Sequence, residues 1–174
     1  QGAQGAQGHT GDQGAQGAQG NDGNFGGASF DYSFNTINSA DQDLDDDAGD
    51  LRFNASITNL HTATPLKLLL NDEDLGSPSA EITKFMETID SVDSTIKGFV
   101  RISKEFEDNN FVLLEIDDLT HDKVSGNTNR HWDISVNYLT SSTDFNTTNI
   151  TDGTKLIVSF VTSGDKGDQG ATGE

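Results

Sequence analysis

The chain has 174 residues and a formal net charge of −19, because 29 acidic residues face only ten lysines and arginines. This balance argues against nucleic acid and against anionic membrane surfaces as partners, since both need a basic stripe. Without cysteine there are no disulfides or thiolate metal sites. No apolar run reaches the roughly 20 residues that a membrane-spanning helix needs, so membrane insertion is not expected.

Residues 1–28 carry glycine at every third position, as in Gly2-Ala3-Gln4 and Gly8-His9-Thr10. Three polyproline-II chains can wind together only where the crowded axis is filled by hydrogen, so an unbroken glycine period has a physical cause. The run contains no proline. It predicts a collagen-like triple helix over residues 1–28.

Residues 29–162 change to short alternating apolar stretches separated by turn-forming clusters, a pattern typical of half-buried strands. Seven such strands predict one mainly β bead, an antiparallel sandwich or jelly-roll-like fold with one helix. The stretches are Phe30–Phe34, Leu51–Phe53, Leu66–Leu70, Ile96–Ser103, Phe111–Ile116, Trp132–Tyr138 and Lys155–Val161.

Two parts of the bead deviate from simple alternation. Apolar residues at helical spacing predict a helix over 79–92, with Ser77 as N-cap and Pro78 at the first helical position, covering an open side or end of the sheets. Residues 96–116 predict a long hairpin around 105–110. Its second strand is apolar on both faces, so we expect it to be central or covered by the helix or a neighbouring chain.

Residues 163–174 return to the glycine period, which predicts that the triple helix resumes. Because the sequence starts and stops within a repeat, we expect it to be an excerpt of a longer protein. Thirteen glycines are predicted to lie on the triple-helix axis: Gly2, Gly5, Gly8, Gly11, Gly14, Gly17, Gly20, Gly23, Gly26, Gly164, Gly167, Gly170 and Gly173.

The missing proline has an energetic consequence. Each residue of such a run loses more conformational freedom on ordering, so a short run is marginal alone. A folded trimer at its end would hold three chain ends at high effective concentration and fix their register. We therefore expect the bead to be trimeric, with two identical chains as partners.

The densest acidic stretch, residues 41–50, invites a calcium interpretation. An EF-hand loop starting at Asp41 needs glycine at its sixth position and a carboxylate at its twelfth, where the sequence has Asp46 and Arg52. A solvated loop is the main interpretation, and no cofactor is expected. A looser calcium site pooled from several chains stays open as the alternative, with candidate ligands Asp41, Asp43, Asp45 and Asp47.

The remaining chemistry-bearing residues do not indicate an enzyme. The four histidines show no metal-binding spacing, and His121-Asp122 and His131-Asp133 are neighbours only in sequence. No zinc-protease, nucleophile-elbow or phosphate-loop motif occurs. We expect no catalytic residues.

The run Gly164-Asp165-Lys166-Gly167-Asp168-Gln169-Gly170 resembles the proline-poor collagen-like repeats of bacteriophage tail fibres and bacterial collagen-like surface proteins. The insert is similar to a bead module of such fibres in Phe30–Phe34, Leu51-Arg52-Phe53-Asn54, Ser94–Val100 and Phe111–Leu114. The resemblance implies a homotrimeric fibre without catalytic residues. It leaves open whether the fibre is part of a virus or of a cell.

These observations predict a structural subunit of an extracellular beads-on-a-string fibre, in which the bead clamps and registers the triple helix. Further copies would follow end to end. The alternative is a host-receptor or glycan-binding adhesin module, with loops 103–110, 121–130 and 140–153 as the candidate recognition segments.

Overall fold

The computed structural model describes residues 28–37, 48–123 and 130–164. Within them lie seven strands, one α-helix and a short 3-10 helix, Ile57–Asn59. The mainly β class and all seven predicted strands are therefore confirmed. The elements are β1 (Ser29–Phe34), β2 (Asp50–Phe53), β3 (Leu66–Asn71), α1 (Thr83–Asp90), β4 (Gly98–Lys104), β5 (Glu107–Lys123), β6 (Arg130–Ser141) and β7 (Lys155–Thr162).

The strands form one closed barrel in the order β1-β2-β3-β6-β5-β4-β7. Strand β1 closes it, because it pairs antiparallel with β7 and parallel with β2. A sheet that closes on itself has no second sheet to pack against, so the predicted sandwich or jelly roll is corrected to a barrel. Closure gives every strand two neighbours, although β5 extends beyond its pairing with β4 after Ile116.

The core fills the barrel interior, because alternate residues of each strand point inward. Val100 and Ile102 of β4 are fully buried and lie opposite Leu114 and Val112 of β5. Trp132, which the sequence places in the core, is 2% exposed. The inward side of each strand therefore follows the apolar positions of the sequence.

Helix α1 packs onto this core at one end of the barrel. Met86 and Ile89 are fully buried members of the central cluster. The ring of Phe85 lies 5.4 Å from Phe30 and 5.7 Å from Phe160 between centroids. Because β1 begins near Phe30 and β7 ends near Phe160, the helix covers that end, as expected.

The predicted start of the helix is wrong. Ser77 and Pro78 lie in a turn, and the helix begins at Thr83. The turn is held by the Asp74 carboxylate, which accepts hydrogen bonds from the backbone N–H of Gly76 (3.0 Å) and Ala80 (2.7 Å). These bonds offer the backbone an alternative to the first helical turn.

The hairpin predicted over 96–116 is confirmed, because β4 pairs antiparallel with β5. Its turn is tighter and its second strand longer than expected. Residues 107–110, predicted as loop, already belong to β5, and only Glu105 and Phe106 form the tip.

Candidate assembly surface

The two ends of the described chain lie at the same end of the barrel. The carbonyl oxygen of Ala28 accepts a hydrogen bond from Phe160 N (2.9 Å), and Ser163 N donates to Lys97 O (3.0 Å). Gly164 follows Phe160 by four residues, so it lies within about 20 Å of Ala28. Both glycine-rich runs are therefore joined covalently to one end of one folded body.

Beside this end, the outer side of β7, β4 and β5 forms a surface almost without charge, which we call the apolar face. Inward-pointing Val100 and Ile102 fix the alternation, so Phe99, Arg101 and Ser103 lie in the outer row, although Ser103 is only 1% exposed. Strand pairing places further outward residues beside these three. The face consists of Phe99, Arg101, Ser103, Phe111, Leu113, Ile157, Ser159 and Val161.

Arg101 is the single charged residue of the apolar face. Its guanidinium carbon lies 4.9 Å from the centroid of the Phe111 ring, and the guanidinium donates a hydrogen bond to the Asp108 carbonyl oxygen. Cation–π contact and this hydrogen bond hold the side chain flat on the sheet. Val161, at the other side of the face, is 56% exposed. The nearest carboxylates lie at the margins of the face, where Glu115 is paired with Phe99 and Asp31 with Ile157.

The outer side of the second half of β5 and of β6 is acidic; we call it the acidic face. Its carboxylates are organised by polar contacts: Asn137 Nδ2 donates to Asp117 Oδ2 (2.8 Å) and to Glu115 Oε1 (3.3 Å). The face carries Glu115, Asp117, Asp118, Asp122 and Asp133.

Asp133 of the acidic face contacts two basic side chains, Lys67 and His131. A hydrogen bond from His131 lowers the pKa of Asp133, and the Lys67 ammonium lowers it further. Lys67 Nζ lies 2.9 Å from Asp133 Oδ2, and His131 Nε2 lies 3.4 Å from Oδ1. The sequence neighbours His131 and Asp133 thus meet in space, although His131 is only 4% exposed.

His121, the other histidine with an aspartate beside it in sequence, lies close to Asp72 and Trp132. His121 Nε2 lies 3.5 Å from Asp72 Oδ2, and its ring stacks on Trp132 at 4.5 Å between centroids. Among the described residues, no group of three or more His, Cys, Asp or Glu is placed to hold a metal ion. The arrangement is that of a buried polar cluster within the fold.

A groove of about 350 Å³ lies at the border of the acidic face. Tyr138 and His61 line it with their rings 6.2 Å apart between centroids in an edge-type arrangement, and Asp117 and Asn137 line it too. An aromatic ring beside an amide and a carboxylate can stack on a sugar ring and bind its hydroxyls. Tyr138 belongs to the inward row, as the sequence predicts: it lies opposite buried Leu114 and packs against the core, and its half-buried side chain also lines the groove.

The tip of the β4–β5 hairpin carries the most exposed large apolar side chain of the described residues. Phe106 is 93% exposed and has a φ of 60°. Positive φ is uncommon for a bulky residue, so the backbone conformation adds a cost to the exposure of the ring. Lys104 and Glu107 flank the tip as an ion pair of 2.6 Å. The tip is part of the predicted recognition loop 103–110.

Most of the predicted site residues lie outside the described residues. This holds for the axis glycines of residues 1–28, for Gly167, Gly170 and Gly173, and for the calcium candidates Asp41, Asp43, Asp45 and Asp47. Gly164 is described, and a Cβ placed on it would meet no atom within 4 Å. The triple helix and the calcium alternative therefore remain predictions from sequence.

Comparison with known proteins identifies no relative: no family model, curated protein or solved structure matches the chain. In the part of the chain that the structure describes, no helix combines the length and hydrophobicity needed to cross a membrane. Inferences about function therefore depend on the glycine period and on the surfaces of the barrel.

Proposed function

We propose that the protein is a structural subunit of an extracellular homotrimeric fibre, in which the barrel clamps and registers proline-poor collagen-like runs. The observation that carries the proposal is the position of the chain ends. Ala28 and Phe160 are hydrogen-bonded neighbours, so the run before the barrel and the run after it are tied to the same end.

The energetic need for such a clamp follows from composition. The two prolines of the chain, Pro65 and Pro78, both belong to the barrel, so neither run has the residue that restricts φ before winding. Three associated barrels would hold three copies of Ala28 close together. The three runs could then wind without first having to meet by diffusion. Association of the barrels then offsets part of the entropy cost of ordering the three runs before the triple helix forms.

The barrel suits this role because its fold does not depend on the runs. Its core is one continuous cluster of buried apolar residues, and every strand has two neighbours. A body that folds by itself can fix the start of three chains while the runs are still unwound.

The proposal is tested by breaking the glycine period in the full chain. Gly11→Ala with Gly14→Ala should abolish a separate, lower melting transition and leave the barrel transition unchanged, because only glycine fits the axis. The matched control is Ala15→Ser, which changes the same run at a position away from the axis. A melting profile that the glycine substitutions leave unchanged, together with a monomeric mass, would overturn the proposal.

A second candidate, a host-receptor or glycan-binding adhesin module, is favoured by the groove at Tyr138 and by the exposed Phe106. In this case we expect Tyr138→Ala to remove binding on a glycan panel, with Leu139→Ala, an exposed neighbour outside the groove lining, as control. Equal binding by both variants, or no binding by the unaltered chain, would argue against a sugar site in the groove.

A further inference from the structure

We propose that the apolar face is the surface through which copies of this chain pack against each other. This inference rests on the proposed function, because it names the contact surface of the homotrimer. Its partner is a second copy of the same chain.

The closed barrel limits the kind of contact that copies can make. Strand addition needs an unpaired edge, and each of the seven strands already has two neighbours. Where the strands are paired on both sides, copies can associate only through side chains on an outer face; the part of β5 after Ile116, which has no partner on its β4 side, belongs to the acidic face. A closed threefold ring uses heterologous contacts, so one side of the face on one copy meets the other side on the next.

The position of the chain ends selects the face. Ser29 lies opposite Ser159 and is exposed, and Val161 precedes the exit of the chain at Gly164 by three residues. Chains wound together outside the barrel bring these ends of the copies together. The apolar face starts at this end and continues along β4 and β5 to Phe111, so it is the face best placed to meet its equivalents.

The charge distribution points the same way. With a net charge of −19, copies repel each other through most of their surface. The apolar face has Arg101 at its middle, and Asp31 and Glu115 lie next to it on the neighbouring positions of β1 and β5. An arginine in the face and carboxylates at its margins complement each other between copies in a head-to-tail arrangement.

The decisive experiment compares two aspartate substitutions in the 174-residue chain by sedimentation equilibrium. Val161→Asp places a charge in the apolar face and should raise the apparent dissociation constant of the trimer about tenfold or more. Phe106→Asp removes an even more exposed apolar side chain at the hairpin tip and should leave association unchanged. Aspartate tolerates the positive φ at that position.

Barrel melting, followed by circular dichroism, must be unchanged in both variants. Should Val161→Asp weaken β7, Phe99→Ser tests the same face without adding charge, and the same dissociation is expected. A trimer that withstands substitutions at Val161 and Phe99 would overturn this surface while leaving the fibre proposal standing. A monomeric unaltered chain would overturn both. Dissociation by Phe106→Asp alone would place the contact at the hairpin tip.

Discussion

The apolar face and the acidic face share strand β5, yet they have opposite chemistry. Along the inner side of β5, Val112, Leu114 and Ile116 are all fully buried. On the outer side, Leu113 is followed by Glu115, and carboxylates continue along the strand. Between Val112 and Ile116, one strand thus contributes the same kind of residue to the core and two kinds to the surface. Folding constrains the inner row, whereas the outer row is free to serve contact or solubility.

The acidic face limits the aggregation that the neighbouring apolar face would otherwise favour. Exposed carboxylates of one sign repel over about a Debye length, roughly 8–10 Å at physiological salt. This repulsion opposes contact between copies through the acidic face. Contact through the apolar face meets the least repulsion. The two faces together favour a defined contact over general aggregation.

Two adjacent leucines of β5, one inner and one outer, test the difference between its two sides. Leu114→Asp buries a charge in the core, and we expect it to unfold the barrel, since such changes cost several kcal/mol. Leu113→Asp places the same charge on the apolar face and should leave the barrel folded with a cost of about 1 kcal/mol or less. Chemical denaturation followed by tryptophan fluorescence checks both. Equal loss of stability would contradict the assignment of inner and outer rows.

A smaller effect is expected from the buried tyrosine of β1. Burial raises the pKa of Tyr32 well above its ordinary value, with further contributions from Asp74 and Asp72. Its stabilising contribution is present below the unfolded pKa of about 10 and is lost as the pH rises toward the folded value. Stability should therefore fall above about pH 10.

Tyr32→Phe should remove this alkaline loss. At neutral pH it should cost about 1 kcal/mol, because Tyr32 Oη donates a 2.8 Å hydrogen bond to the Asn71 carbonyl oxygen. Urea titrations at neutral and alkaline pH measure both effects. If the variant keeps the full alkaline loss, another group must carry it.

The smallest effect concerns the acidic face. The pKa of Asp133 is lowered by the hydrogen bond from His131 and by Lys67, so its contribution is present above the unfolded pKa of about 3.9. This contribution is lost as the pH falls through the lowered folded value. Asp133→Asn should cost a few tenths to about 1 kcal/mol at neutral pH and flatten the acid limb of stability. Asp118→Asn, an exposed carboxylate of the same face, is the matched control.

The sequence predicted the local elements well because their signal is local. Trp132, Ile134 and Val136 alternate with polar residues, and the strand they form buries these three. Residues 111–114 are apolar on both faces, so the sequence predicts that the helix or a neighbouring chain covers their outer side. Helix α1 instead contributes Met86 and Ile89 to the inner cluster. The outer residues Phe111 and Leu113 are therefore left for the contact between copies that we propose.

Barrel closure and the groove were beyond prediction because both depend on distant pairings. Closure needs β1 to meet β7, with Ser29 opposite Ser159. The groove needs His61, in the turn after the 3-10 helix, to come together with Tyr138 of β6, which is remote in sequence. The helix start was missed because the Asp74 carboxylate binds the backbone of the turn, and neither helical spacing nor proline position reveals such a competitor.

The most direct test measures distances between copies with one spin label on each chain, since the chain has no cysteine of its own. Labels at Ser29→Cys, beside the apolar face, should give a short interchain distance. Labels at Thr120→Cys, on the acidic side of β5, should give a longer one. We expect the shorter distance at Ser29→Cys if the copies form a trimer through the apolar face. The opposite order, or no interchain signal from either label, would contradict it.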